Sequence, residues 1–397
     1  MNANRSSGQM GAAPAFAAGA RGRKGGLLGA LKARLSFRPL TYGYANARVH
    51  GLVSEFLPKD KVKALVAANT VDAIVEMLEH TSYKDDLVAL SLRFKREELV
   101  ELALGRQFAR FAAKLLKITP KEAQGVLRAL LARWDVHNVK TIILARAQGK
   151  KYDDVAPYLV LAGRLGEKDL RALSNAAGGE AFYPALRATG FGAEFISQAS
   201  ADIRKKMGAP VGERAAIESV TAALDAYVYR LAEQSVPAGD RDAKVVRRLL
   251  AREADAKNLS TLLRLMRSQK EGARLEPKTL AAYLVDGGTV ARREWLELAG
   301  QAGVEEVAAR LQRRLGLSAA MDEYKKDSSL SAFEIAMATA NAKEGLATFQ
   351  RAGLGLGVIV GALLLKENEM NNIRKIVRAK ALGLPEQEIE KMMVSVR

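Results

Sequence analysis

The most constraining feature of this chain is a pattern that occurs three times. Trp134-Asp-Val-His-Asn138-Val-Lys-Thr-Ile-Ile-Leu-Ala-Arg146, Ala254-Asp-Ala-Lys-Asn258-Leu-Ser-Thr-Leu-Leu-Arg-Leu-Met266 and Asn368-Glu-Met-Asn-Asn372-Ile-Arg-Lys-Ile-Val-Arg-Ala-Lys380 each carry an acid, an asparagine three residues on, and aliphatic residues one, four and five positions after it. The asparagines are 120 and 114 residues apart, and the 359 residues that follow position 38 divide into thirds of about 120. A regular period of this kind predicts tandem copies of one helical unit. Units are expected at 39–155, 156–273 and 274–397.

The repeat positions Asp135, Asn138, Asp255, Asn258, Glu369 and Asn372 are polar residues in apolar helical surroundings. Asparagine is a poor helix-interior residue because its side chain competes for nearby backbone groups. An acid and an asparagine three apart share one helix face. Their expected task is to hydrogen-bond the backbone of a neighbouring helix end or loop within each unit. One acid per unit spreads the carboxylates apart, whereas acid–base catalysis needs them to converge. No catalytic role follows.

The rest of the chain predicts an all-α fold. Phe108, Phe111, Ala112, Leu115 and Leu116 form one helical stripe, and Val62, Leu65, Val66 and then Val71, Ile74, Val75, Leu78 form two shorter ones. Thr119-Pro120-Lys121-Glu122, and later Ser331 with Glu334, have the form of capping boxes. Gly149 and Gly383 each stand eleven residues past a repeat asparagine, where a helix should stop, and Ile389, Met392 and Met393 form the face of a last short helix. Breaks are expected near 149–157, 178–184, 208–212 and 287–288. Aromatics at 6% and an abundance of Ala, Leu, Arg, Lys and Glu agree with helix over sheet.

Composition removes several chemistries. Cysteine is absent, and the three histidines, His50, His80 and His137, stand apart, so no thiolate, disulfide or iron–sulfur site is available and a metal site is not expected. The longest apolar run, 352–365, is fourteen residues, short of the roughly twenty that a membrane span needs. Its glycines 353, 355, 357 and 361 lack the Lys-Ser/Thr that completes a phosphate-binding loop. A tightly packed buried helix is expected there, and no cofactor. The net charge is +18, of which +7 lies in residues 1–38 without a single acid, and this stretch is expected to be a disordered basic tail. A basic surface suits nucleic acid, anionic lipid or an acidic protein. The first of these, a basic helical-repeat nucleic-acid binder, is the alternative reading, opposed by the sparse aromatics.

Tyr42-Gly-Tyr-Ala-Asn-Ala-Arg48-Val, the Trp134–Arg146 segment, Glu253-Ala-Asp-x-x-Asn-Leu and Lys366-Glu-x-Glu-x-x-Asn-Ile-Arg-Lys-Ile-x-Arg-Ala-Lys-x-x-Gly-Leu, in this order over about 40–397, resemble the C-subunit family of archaeal and bacterial V-type ATP synthases. The eukaryotic counterpart is the d component of the vacuolar proton pump. The resemblance implies a funnel-shaped, pseudo-threefold helical protein without catalytic residues. One copy per complex would sit as a socket between the central-stalk subunits and the membrane proteolipid ring. It would be peripheral, on the cytoplasmic face, with no nucleic acid as partner. The basic leader is not a feature of that family.

Overall fold

A computed structural model describes residues 38–237, 241–269, 274–301, 303–351 and 353–394. The expected basic tail lies almost wholly outside the described residues, and Arg38 already belongs to the first helix. Among the described residues the fold is all-α, with no strand.

Among the described residues, six long helices carry the architecture, as three consecutive pairs: α5 (Arg96–Ile118) with α6 (Lys121–Ala147), α12 (Arg214–Ser235) with α13 (Arg241–Arg267), and α18 (Ser331–Arg351) with α19 (Leu356–Ala381). The second helix of each pair carries one copy of the repeat. Shorter helices lie between. Before the first pair come α1 (Arg38–Ser54), α2 (Lys59–Ala67), α3 (Val71–Glu79) and α4 (Lys84–Ser91). After it come α7 (Tyr152–Val155), a single 3-10 turn, α8 (Glu167–Ser174), α9 (Gly178–Arg187), α10 (Gly190–Gln198) and α11 (Ala201–Met207). After the second pair come α14 (Pro277–Ala281), α15 (Arg292–Ala299), α16 (Val304–Leu315) and α17 (Ser318–Asp327), and α20 (Glu386–Met392) follows the third.

Each repeat helix packs on the first helix of another pair: α6 on α12, α13 on α18, and α19 back on α5. The contacts therefore close into a cycle. The cores follow the same plan. The N-terminal halves of α6 (Val126, Leu130), α13 (Val246, Leu249) and α19 (Val358, Leu363) share one apolar cluster with α1 to α5. Further along, α6 enters a second cluster with α7 to α12, built on Val139, Leu170, Phe191 and Tyr227. The second half of α13 enters a third with α14 to α18, built on Leu262, Trp295, Leu311 and Phe333. Apolar burial of this kind contributes about 25 cal/mol per Å², and it is what holds the short helices, too short to be stable alone.

The helix ends follow local chemistry. Gly149 (φ 69°) and Gly383 (φ 72°) end α6 and α19 in the left-handed conformation. The amides of Lys150 and Leu384 return to Ala145 and Ala379. Within the 352–365 run the helix α19 begins at Leu356, and residues 353–355 form part of the turn between α18 and α19. Within that helix Gly361 meets α18 backbone to backbone: a Cβ there would lie 2.8 Å from Phe349 N and 2.9 Å from Gly345 O.

Three local expectations need correction. Thr119 makes no capping box, because its hydroxyl donates to Leu115 O (2.6 Å) and finishes α5 instead of opening α6. Ser331 and Glu334 make none either, since the Glu334 carboxylate is drawn off α18 to accept from Ser260 Oγ (2.8 Å) and Arg264 (2.6 Å). The 178–184 segment is not a break. It lies in α9, which opens at Gly178 (φ 69°) and carries Pro184 inside the helix.

Candidate functional site: polar positions of the three repeat helices

The three asparagines perform one operation. Asn138 Nδ2 donates to Val160 O while Val160 N donates to Asn138 Oδ1, both at 2.8 Å. Asn258 makes the same pair of bonds with Val285, both at 2.9 Å. Asn372 makes them with Val394, at 2.9 and 3.1 Å. One carboxamide thus satisfies both backbone groups of a buried valine that no helix or sheet serves. Asparagine suits this because it carries a donor and an acceptor on one planar group.

The acids one turn earlier hold the next part of the same loops. Asp135 accepts from the amides of Arg164 (2.8 Å) and Leu165 (2.8 Å), four and five residues past Val160. Asp255 accepts from the amides of Thr289 (2.9 Å) and Val290 (3.1 Å), four and five past Val285, and from the Thr289 hydroxyl. In both loops a glycine lets the backbone come close: a Cβ on Gly163 or Gly288 would collide with the Asp135 or Asp255 carboxylate. Burial raises the Asp135 pKa to about 6 against the pull of its two amide donors, so it is ionised at neutral pH.

Glu369 differs. Its partners are Leu57 N (2.6 Å) and Tyr83 Oη (2.8 Å), 312 and 286 residues away in sequence, and Lys366 Nζ (2.6 Å) on its own helix. Lys366 is fully buried, with its ammonium over the rings of Phe56 (4.9 Å) and Tyr83 (4.6 Å). Burial lowers its pKa, opposed by Glu369. Where the first two acids fasten a loop that follows them, the third fastens the first segments of the chain to its last long helix.

Two further sets of equivalent positions come together. Five residues before each asparagine stand Arg133, Glu253 and Glu367. The Arg133 guanidinium bridges both carboxylates, at 3.0 Å to Glu253 and 3.4 Å to Glu367, and the indole N–H of Trp134 donates to Glu367 at 3.1 Å. The three repeat helices therefore meet at one level. Burial opposes the Arg133 charge, but Glu253 and Glu367 outweigh it and push its pKa up. Burial raises that of Glu367, with Arg133 working against it.

Two residues after each asparagine stand Lys140, Ser260 and Arg374. Lys140 pairs with Asp225 of α12 (2.8 Å), Ser260 bonds Glu334 of α18 (2.8 Å), and Arg374 pairs with Glu101 of α5 (2.8 Å). Each bond runs from a repeat helix to the helix on which it packs. Sequence reasoning passed over both sets, although extending the three-way comparison one turn upstream would have exposed an Arg/Glu/Glu column. Every one of these groups is consumed by a structural partner. Among the described residues there is no cluster of three His, Asp or Glu placed to hold a metal ion. No described helix is long and apolar enough to cross a membrane. What the arrangement does chemically is fasten loops to helices and helices to each other.

A family model described as ATP synthase (C/AC39) subunit matches residues 45–392, all three copies of the repeat included. The chain belongs to that family. Among its relatives, the A-type ATP synthase C subunit of Methanocaldococcus jannaschii is 24% identical over 89% of this chain and 86% of its own. Those of Haloquadratum walsbyi and Haloferax volcanii are each 28% identical, over 87% and 88% of this chain and 96% and 97% of their own.

Proposed function

We propose that this protein is a non-catalytic rotor part of an A/V-type ATP synthase, a socket that links the central stalk to the membrane proteolipid ring. One copy would serve each complex, peripheral on the cytoplasmic face, so that rotation couples ATP synthesis or hydrolysis to ion transport. The family match over 45–392 supports membership of the complex. The observation that carries the mechanical part is the cyclic packing of three helix pairs, α6 on α12, α13 on α18 and α19 on α5, each junction with a polar bond at the equivalent position.

In this reading the pairs and their short helices are three similar units about a pseudo-threefold axis. The Arg133–Glu253–Glu367 contact lies at that axis, and the short helices form a wider rim that receives the stalk. A close-packed interior with low compressibility passes strain from one end to the other without absorbing it. The repeat residues Asp135, Asn138, Asp255, Asn258, Glu369 and Asn372 keep the rim loops fixed to the helices, which a part under torque requires.

The test is gentle detergent extraction from the native membrane, affinity capture through this chain, and mass spectrometry of what accompanies it. The expected result is a proteolipid ring together with central-stalk and head subunits. Recovery of nucleic-acid machinery with neither ring nor stalk would overturn the proposal.

A further inference from the structure

The three repeat helices change character together at the Arg133–Glu253–Glu367 contact. Residues spaced alternately three and four apart stay on one side of a helix. Followed in that way through the contact, the face begins with Val126, Val246 and Val360, one on each helix, and continues with Leu130, Leu250 and Leu364. All six belong to one apolar core or pack against it. The charged contact comes next. Past it the same face presents His137, Lys257 and Asn371, then Lys140, Ser260 and Arg374, then Leu144, Arg264 and Arg378. These nine positions hold five cations and no acid.

The face is buried before the contact and open after it. His137, Asn371, Leu144, Arg264 and Arg378 are all exposed. Beyond the contact α6 and α13 also leave the common core for separate ones. The three helices therefore part, and their facing sides line a recess with the Arg133–Glu253–Glu367 contact as its floor. The carboxylates around this recess come from the helices packed behind. Asp225 of α12 holds Lys140 and Lys257, both at 2.8 Å. Glu334 of α18 holds Arg264 at 2.6 Å, together with Ser260. Glu101 of α5 holds Arg374 at 2.8 Å and Arg378 at 2.7 Å. The acids lie deeper than the cations: the Glu101 side chain is 7% exposed and that of Arg378 57%, Glu334 37% and Arg264 67%. Five cations against three recessed carboxylates leave a net +2 on the side that faces the opening.

We infer that this recess is the seat for an acidic helix end of the central stalk, held chiefly by Lys257, Arg264 and Arg378. The inference rests on the rotor reading for its partner and adds to it the residues of the seat and the chemistry of what fits them. A recess that closes on a floor between three parting helices receives the end of a rod, such as a helix about 10–12 Å across, and not a flat bilayer. Carboxylates on that rod, or the unpaired carbonyls at a helix C-terminus, bring the negative charge that the cations favour. Each guanidinium keeps N–H donors beyond those it gives to its own carboxylate, and that pairing already fixes its position, so less freedom is lost when a partner arrives.

The test titrates purified central-stalk subunits of the same complex onto the full-length protein, at low and raised salt. Binding by the unaltered protein is expected to weaken as salt rises. The triple variant Lys257→Gln, Arg264→Gln, Arg378→Gln should bind about tenfold more weakly and depend less on salt. Its fold is protected, because Asp225 keeps Lys140, Glu334 keeps Ser260 and Glu101 keeps Arg374. The control Arg214→Gln, Arg293→Gln, Lys326→Gln also removes three exposed cations, each from an ion pair with one acid, and should bind as the unaltered protein does. Circular dichroism and chemical denaturation check both folds. Binding that the triple variant retains, an equal loss in the control, or binding by the unaltered protein that ignores salt would each overturn this inference and leave the rotor reading standing. No binding by the unaltered protein would overturn both together.

Discussion

A single carboxamide holding both backbone groups of a buried valine has consequences that can be measured. Asn258→Ala would leave Val285 N and O unpaired in a buried site, and such a loss typically costs about 1–3 kcal/mol per group. Asn138→Ala should cost less, because Val160 O keeps the amide of Ala162 (2.9 Å) and only Val160 N is stranded, and chemical denaturation of each variant checks the prediction. Asn258→Asp is a finer probe, since it keeps an acceptor for Val285 N but presents no donor to Val285 O. With a buried carboxylate set against that carbonyl oxygen, it should destabilise at least as much as Asn258→Ala at neutral pH and recover as acid protonates the new carboxyl group. Gly163→Ala and Gly288→Ala should also destabilise, because the new methyl group occupies the place of a carboxylate oxygen. Asp135 adds a pH dependence. Its native pKa of about 6 lies above the roughly 3.9 of an unfolded chain, so the native state binds the proton more tightly. Its contribution to stability is full below the unfolded value and is lost as pH rises through about 6. The stability difference between the unaltered protein and Asp135→Asn should therefore shrink over that window, and a flat difference would show that burial does not govern the group. These residues were visible in the sequence because a polar pair on an apolar helix stands out three times. Their valine partners were not, because a loop residue that accepts a carboxamide carries no compositional mark.

Whole helices add a different kind of information. The helix stripes and the glycine stops were legible, since periodicity and left-handed glycine are local properties: Phe108, Phe111, Ala112 and Leu115 are all buried, and Gly383 ends α19. The capping boxes failed for a tertiary reason. Glu334 had a better partner in Arg264 on another helix, and Thr119 found the carbonyl of Leu115 behind it. The Arg133–Glu253–Glu367 contact belongs to this scale because each helix supplies one residue. Removing only the cation, in Arg133→Ala, leaves two carboxylates facing each other in a half-buried place, and the expected cost is about 1–3 kcal/mol, below that of breaking a fully buried pair. Replacing all three by apolar residues of similar volume should cost much less, or nothing, because the desolvation penalty goes with the charges. Denaturation of the single and triple variants decides between these outcomes. A triple variant as unstable as Arg133→Ala would show that the contact contributes net energy and does not merely set the register.

At the scale of the molecule, the first segments of the chain are fastened to the last long helix. Leu57 and Tyr83 meet Glu369, Glu101 meets both Arg374 and Arg378, and α19 lies on α5. A period of about 120 residues announces repetition but not closure, because spacing along a chain does not say whether three units stand in a row or in a ring. That distinction lives in pairs such as Glu101–Arg374, 273 residues apart, to which no local pattern points. If closure makes the three pairs one stiff body, weakening it should show in coupling before it shows in catalysis. The most direct measurement is the number of ions moved per ATP hydrolysed by complexes reconstituted with Glu101→Gln, whose folding is verified by circular dichroism. A rotor socket predicts that ATP hydrolysis continues while ion movement per ATP falls. An unchanged ratio, in a variant whose lowered denaturation midpoint proves the junction weakened, would contradict it.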